Sequence, residues 1–89
     1  MRRVRPTGQF RKDLKLGAKR GLNLYKLHRI ISLLRENEPL PLTAYPHRLS
    51  GKYEGSWECH IESDWLLIYA VTNHEVLLVR TGTHNDLFE

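Results

Sequence analysis

Apolar side chains along this chain change their spacing near its middle, from about four residues to two. In the first third Phe10, Leu14 and Ala18 recur at every fourth position, and Arg11, Lys15 and Lys19 repeat beside them. That is the spacing of an amphipathic helix with a basic outer face. Thr7 can cap its start, and Pro6, which has no N–H to give, ends a short edge strand over Arg2 to Arg5. Gly21 interrupts the pattern. Leu24, Leu27, Ile31 and Leu34 then supply a second apolar stripe, with Lys26 and Arg29 off it, so a helical hairpin is predicted.

Pro39, Pro41 and Pro46 break regular structure, yet Leu40, Leu42 and Tyr45 make the segment too apolar for a free linker, and it is expected to lie across the core. Beyond Gly51 and Gly55 the period becomes two: Trp57, Cys59 and Ile61 point one way from a strand, Glu58 and His60 the other. A turn near Glu62-Ser63 leads into a strand over Trp65 to Val71. Thr72-Asn73-His74 is a second turn, before a strand over Val76 to Thr81 that Gly82 ends. His84 to Phe88 has room for one helical turn. The order strand, helix, helix, three strands predicts a single α+β domain over residues 1–89, with helices on one face of a small, mainly antiparallel sheet. The opposite face is expected to be partly open, with Glu58 and His60 projecting from it.

Charge adds an asymmetry that the apolar pattern does not show. Residues 1 to 35 carry eleven Arg or Lys against Asp13 alone, a net +10, whereas residues 36 to 89 carry three basic and nine acidic side chains, a net −6. The basic half suits phosphates, and equally an acidic protein partner. Cys59 is the only cysteine, which excludes an internal disulfide and Cys-rich zinc patterns; a small core residue is its expected role. No apolar run approaches the roughly 20 residues of a membrane span. The start, Met1 to Pro6, lacks the apolar segment of a secretory signal, so a cytoplasmic protein is expected.

Folding asks for neither histidine nor arginine at strand ends, yet His60, Asp64, Arg80 and His84 stand there. Metal-free RNA cleavage needs a base for the ribose 2′-OH, an acid for the leaving 5′ oxygen and positive charge for the phosphorane. Histidines can fill the first two roles and Arg80 the third, while Asp64 can orient an imidazole or accept a proton. Singly, His47, His60 or His84 would be read as an ordinary surface or hydrogen-bonded histidine. His28 and His74 are assigned to structure or solvent. The spacing His60-x-x-x-Asp64 could hold a metal on a helix, but the surrounding alternation favours strand and turn, and no metal or cofactor is expected.

The run His60-Ile61-Glu62-Ser63-Asp64-Trp65-Leu66-Leu67-Ile68-Tyr69, followed by Arg80-Thr81-Gly82-Thr83-His84-Asn85-Asp86-Leu87-Phe88, resembles the YafQ branch of the RelE-like bacterial toxins. The resemblance spans nearly the whole chain, including the basic hairpin and the Pro39-Leu40-Pro41-Leu42 segment before His47. It implies a RelE-like two-layer fold and a ribosome-dependent mRNA endonuclease of a type II toxin-antitoxin pair, cutting message in the ribosomal A site. Position by position it implies a catalytic set of His47, His60, Asp64, Arg80 and His84, with His84 the favoured proton donor and Arg80 a phosphate-binding group. His47 and His60 remain alternatives for base and positioning. Trp65 and Phe88 are implied as walls of the RNA site, and Lys15, Lys19 and Arg20 as cations facing ribosomal RNA. The implied partners are mRNA, the ribosome, a cognate antitoxin and, only for the toxin-antitoxin complex, promoter DNA.

Two other readings share the basic helices. A related fold inhibits DNA gyrase by binding it, without needing the His60, Asp64, Arg80 and His84 set. A nucleic-acid-binding module with solvent-facing histidines is the third.

Overall fold

A computed structural model describes all 89 residues. Strand β1 (Arg3–Pro6) leads into helices α1 (Gly8–Lys19) and α2 (Leu24–Arg35). Then come β2 (His47–Arg48), β3 (Trp57–Glu62), β4 (Trp65–Val71), β5 (Glu75–Gly82) and a last helix α3 (His84–Phe88), with single 3-10 turns before and after β2. The five strands lie in the order β1-β5-β4-β3-β2. Only the β1–β5 pair is parallel, so the expected mainly antiparallel α+β sheet is what forms.

The caps explain where the helices begin. Thr7 Oγ1 accepts from the Phe10 N–H at 2.9 Å and donates to the Val79 carbonyl at 2.8 Å, so one hydroxyl starts α1 and fastens it to β5. Asn23 caps α2 through the Tyr25 N–H, and Gly21, at φ 79°, makes the left-handed turn between the helices without a Cβ penalty. Both helices cover one sheet face. Phe10, Leu27, Ile30 and Leu34 pack there on Cys59, Leu67, Tyr69, Val76 and Leu78. No helix is long and apolar enough to cross a membrane.

Several details depart from the predicted pattern. In α1 the inward positions are Phe10, Asp13, Leu14 and Gly17, while Ala18 is exposed. The helix is rotated because the Asp13 carboxylate has partners on β5, and Gly17 lets Leu22 approach. Between the helices and β3, Leu40 and Ala44 reach the core as expected, but Leu42 and Tyr45 do not: both point to solvent. The sequence showed no sign of β2, whose two residues pair His47 with Glu58 and Arg48 with Trp57.

The second sheet face is less open than expected. Leu66, Ile68 and Leu87 are fully buried there, packed with Leu49, Tyr53 and Val79. The turn around Tyr53 and the terminal helix thus act as a small second cover, and the Tyr53 hydroxyl donates to the Leu87 carbonyl at 3.0 Å. Glu58, expected to project freely, is 5% exposed beneath His47. Cys59 is buried as expected. Burial first, and Glu58 beside it second, push its thiol up to about 12, so it is not a thiolate near neutral pH.

Candidate active site

Of the residues singled out near strand ends, His60, Asp64 and His84 come together at one end of the sheet, whereas Arg80 is held by Asp13. Asp64 lies in the β3–β4 turn, and the Thr83 cap turns the chain from β5 into α3, which begins at His84. One Asp64 carboxylate oxygen, Oδ1, accepts both from His84 Nδ1 at 2.6 Å and from the His84 backbone N–H at 3.0 Å. Since a carboxylate only accepts, Nδ1 carries the hydrogen and Nε2 is left facing outward. These bonds, the backbone one first, hold Asp64 below the ordinary carboxylate range. The pair has the aspartate-to-imidazole arrangement that fixes a ring and stabilises its cation.

His60 projects from β3 beside it, with its ring centroid 6.0 Å from that of His84. The Tyr45 ring lies at right angles to it, centroids 6.3 Å apart, so Tyr45, His60, His84 and Asp64 are joined as successive neighbours. His47 stands on the neighbouring strand. Its Nδ1 is 3.0 Å from the Tyr45 carbonyl and its Nε2 is 3.3 Å from a Glu58 carboxylate oxygen. Both ring nitrogens of His47 thus face acceptors, whereas His60 is flanked by rings.

Arg80 stands four residues before His84, and the structure shows how it is held. Its Nη2 and Nε donate to the two Asp13 oxygens at 2.8 and 3.0 Å, a forked pair that also takes the Thr81 N–H at 3.2 Å. Asp13, first among the causes, pushes the Arg80 guanidinium further up, so it is a permanent cation. Its third nitrogen, Nη1, makes a long contact of 3.4 Å to the Asp86 carbonyl, and the Tyr53 hydroxyl also acts on the guanidinium. Asp13 is the residue missed from sequence: the lone acid in a basic helix was readable, its target was not.

Two expected RNA contacts are elsewhere. Trp65, expected to wall the site, is 3% exposed in the main core, and its indole N–H donates to Thr81 Oγ1 at 2.9 Å. A buried indole satisfied in this way offers no face to a ligand. Arg20, expected to face ribosomal RNA, instead donates to Asp86 at 2.6 and 3.3 Å. Lys15 and Lys19 do lie on the exposed side of α1, and Phe88 is exposed, edge-on to Tyr53 at 5.7 Å.

Asp86 does more than hold Arg20. It accepts the Thr83 N–H at 2.9 Å while its own N–H reaches Thr83 Oγ1, closing a capping box around α3. Gly82 leaves room for this: a Cβ there would sit 2.9 Å from the Asp86 side chain. Arg20 first, and the Thr83 N–H second, draw the Asp86 carboxyl well below its usual range. A carboxyl lowered by folding adds stability above its unfolded value, near 3.9, and loses it as pH falls towards the folded one. Urea midpoints for wild type and Asp86→Asn are therefore expected to differ at pH 7 and to converge below about pH 4. A gap of constant size down to pH 3 would show that the carboxylate is not the stabilising group.

No three His, Cys, Asp or Glu side chains converge as a ready metal site. The fold and this arrangement define a small α+β protein with His60, Asp64 and His84 clustered at one end of its sheet. The family described as "Bacterial toxin of type II toxin-antitoxin system, YafQ" matches residues 2–89. The mRNA interferase toxin YafQ of Escherichia coli K12 is 41% identical over 88 residues, 98% of this chain and 96% of that one. Among solved structures, YafQ from E. coli BL21(DE3) superposes with a TM-score of 0.94 at 39% identity, covering 100% of both chains. YafQ in the E. coli DinJ-YafQ toxin-antitoxin complex gives 0.91 at 40%, over 99% of this chain and 98% of that one. A metal-bound toxin from Helicobacter pylori gives 0.92 at 33%, over 99% and 100%. The chain belongs to the YafQ family of type II toxin-antitoxin toxins.

Proposed function

We propose that this protein is an endoribonuclease, an mRNA interferase that cuts message in the ribosomal A site by acid-base chemistry of its own side chains. The observation that carries the reading is the Asp64–His84 pair facing His60, with the charged Arg80 fork four residues away in sequence. His84 donates a proton from Nε2 to the departing 5′ oxygen, and Asp64 stabilises the ring while it is charged. Between the two candidate bases, His60 is the better one, because both nitrogens of His47 already face acceptors. His47 is then a positioning group. Arg80 meets a phosphate oxygen and opposes the charge that develops on the phosphorane.

The relatives supply the partners. A YafQ is named an mRNA interferase, and a YafQ has been seen in complex with the antitoxin DinJ. By that likeness a cognate antitoxin binds this chain; that promoter DNA is bound only by the pair is our own further reading. Lys15 and Lys19 on α1 are the cations for ribosomal RNA, Phe88 is an RNA contact, and the site of action is the cytoplasm. Toeprinting of mRNA on translating ribosomes is expected to show new 3′ ends within A-site codons when purified protein is added, with little cutting of naked RNA. Absence of those ends sinks the proposal. Equal cutting of naked RNA would leave a self-contained nuclease, and loss of cutting with a chelator, on intact ribosomes, would replace the metal-free chemistry.

A further inference from the structure

Tyr45 has no packing reason to be where it is. It closes the 3-10 turn before β2 with φ 44° and ψ 58°, a left-handed conformation that a side chain with a Cβ adopts at a free-energy cost glycine avoids. Pro46 follows it and restricts its backbone further. The ring obtains nothing from the core in exchange, since the residue is 69% exposed. What the conformation does achieve is local. It turns the backbone carbonyl onto His47 Nδ1 and sets the ring at right angles to the His60 ring, centroids 6.3 Å apart, with most of the side chain exposed. Strain retained at an exposed aromatic beside two histidines of an open site is the pattern of a ligand contact.

We propose that Tyr45 is an RNA-contacting residue, whose ring stacks on the nucleobase next to the scissile phosphate of the message. The inference rests on the RNA-cleaving reading above. A base stacked on the exposed ring of Tyr45 lies beside His60, which brings the phosphate attached to its ribose near His60 and His84, whose ring centroids are 6.0 Å apart. Stacking tolerates any base but favours larger ones, so Tyr45 contributes affinity to every codon and a graded preference among them.

Substitution can separate the ring from the backbone. Tyr45→Gly keeps the carbonyl that faces His47, suits the left-handed conformation and deletes only the ring. Its thermal midpoint is expected to equal or exceed that of wild type, while kcat/KM for A-site cleavage falls by about 10- to 100-fold, the range of losing one base-aromatic stack. Tyr45→Phe is expected to cut within about threefold of wild type, because the stacking face survives. Imidazole proton resonances of His47, His60 and His84 in free Tyr45→Gly should keep their wild-type positions. If wild type does not cut, the underlying reading fails. If wild type cuts and Tyr45→Gly cuts equally well, this proposal alone fails, even if antitoxin binding weakens. It also fails if Tyr45→Phe loses as much as Tyr45→Gly, or if the loss comes with displaced histidine resonances, which would make the ring a structural support.

Discussion

His84→Ala is expected to lower cleavage of A-site codons by about 10²- to 10⁴-fold, the span usual for removing a positioned general acid. The backbone N–H of residue 84 remains in the variant, so Asp64 keeps its bond at 3.0 Å and the Thr83 cap is untouched. The fold should therefore stay intact, with a urea midpoint close to that of wild type, and the loss should fall on kcat. Asp64→Asn should cost less, roughly 10-fold, since an amide oxygen can still orient Nδ1 while the charge that supports the imidazolium is gone. Quantitative toeprinting at saturating protein measures both. Undiminished cutting by His84→Ala would remove it from the mechanism and leave His60 and His47 as the only imidazoles in reach.

Asp13→Ala is expected to have the largest effect on stability of any single change to a charged residue, about 3 kcal/mol or more. The Asp13 and Arg80 side chains are 6% and 20% exposed, and removing one partner leaves the other charge largely desolvated and unpaired. The Thr81 N–H loses its acceptor too. For a domain of this size the thermal midpoint should fall by roughly 10 to 20 °C. The double variant Asp13→Leu with Arg80→Met replaces the pair by apolar groups and should recover much of that stability, as buried ion pairs often allow. Cleavage should not return with it, because the cation proposed for the phosphate is gone. If urea unfolding shows Asp13→Ala within about 0.5 kcal/mol of wild type, solvent reaches the pair and Arg80 is not held as described.

Local chemistry was the part of this fold most legible from sequence. Thr7 before an apolar period of four, Gly21 between two such stretches, and alternation from Trp57 onward each act through the nearest few residues, and each led to the right element. The parallel pairing of β1 with β5 was not legible, because nothing within Arg3–Pro6 says which edge it will meet. Among the site residues, Asp64 and His84 could be named by position, but their bond depends on a turn and a helix start being brought together across twenty residues. Trp65 shows the converse. The family resemblance implied that it walls the site, yet the period of two along β4 turns alternate side chains to opposite faces, and it falls with Leu67 and Tyr69 on the helix side. Asp13 was hidden for a related reason, since a helix rotation of one position decides whether a lone carboxylate meets solvent or an arginine 67 residues away.

Because β5 lies between β1 and β4, β1 has no place in the sheet until β5 has been made. Arg3 to Pro6 wait for partners at Glu75 to Leu78, and the second small core waits for Leu87. Until the segment bearing Arg80 and His84 has been made, Asp13 has no guanidinium and Asp64 no imidazole, so neither pair forms before β5 and α3 do.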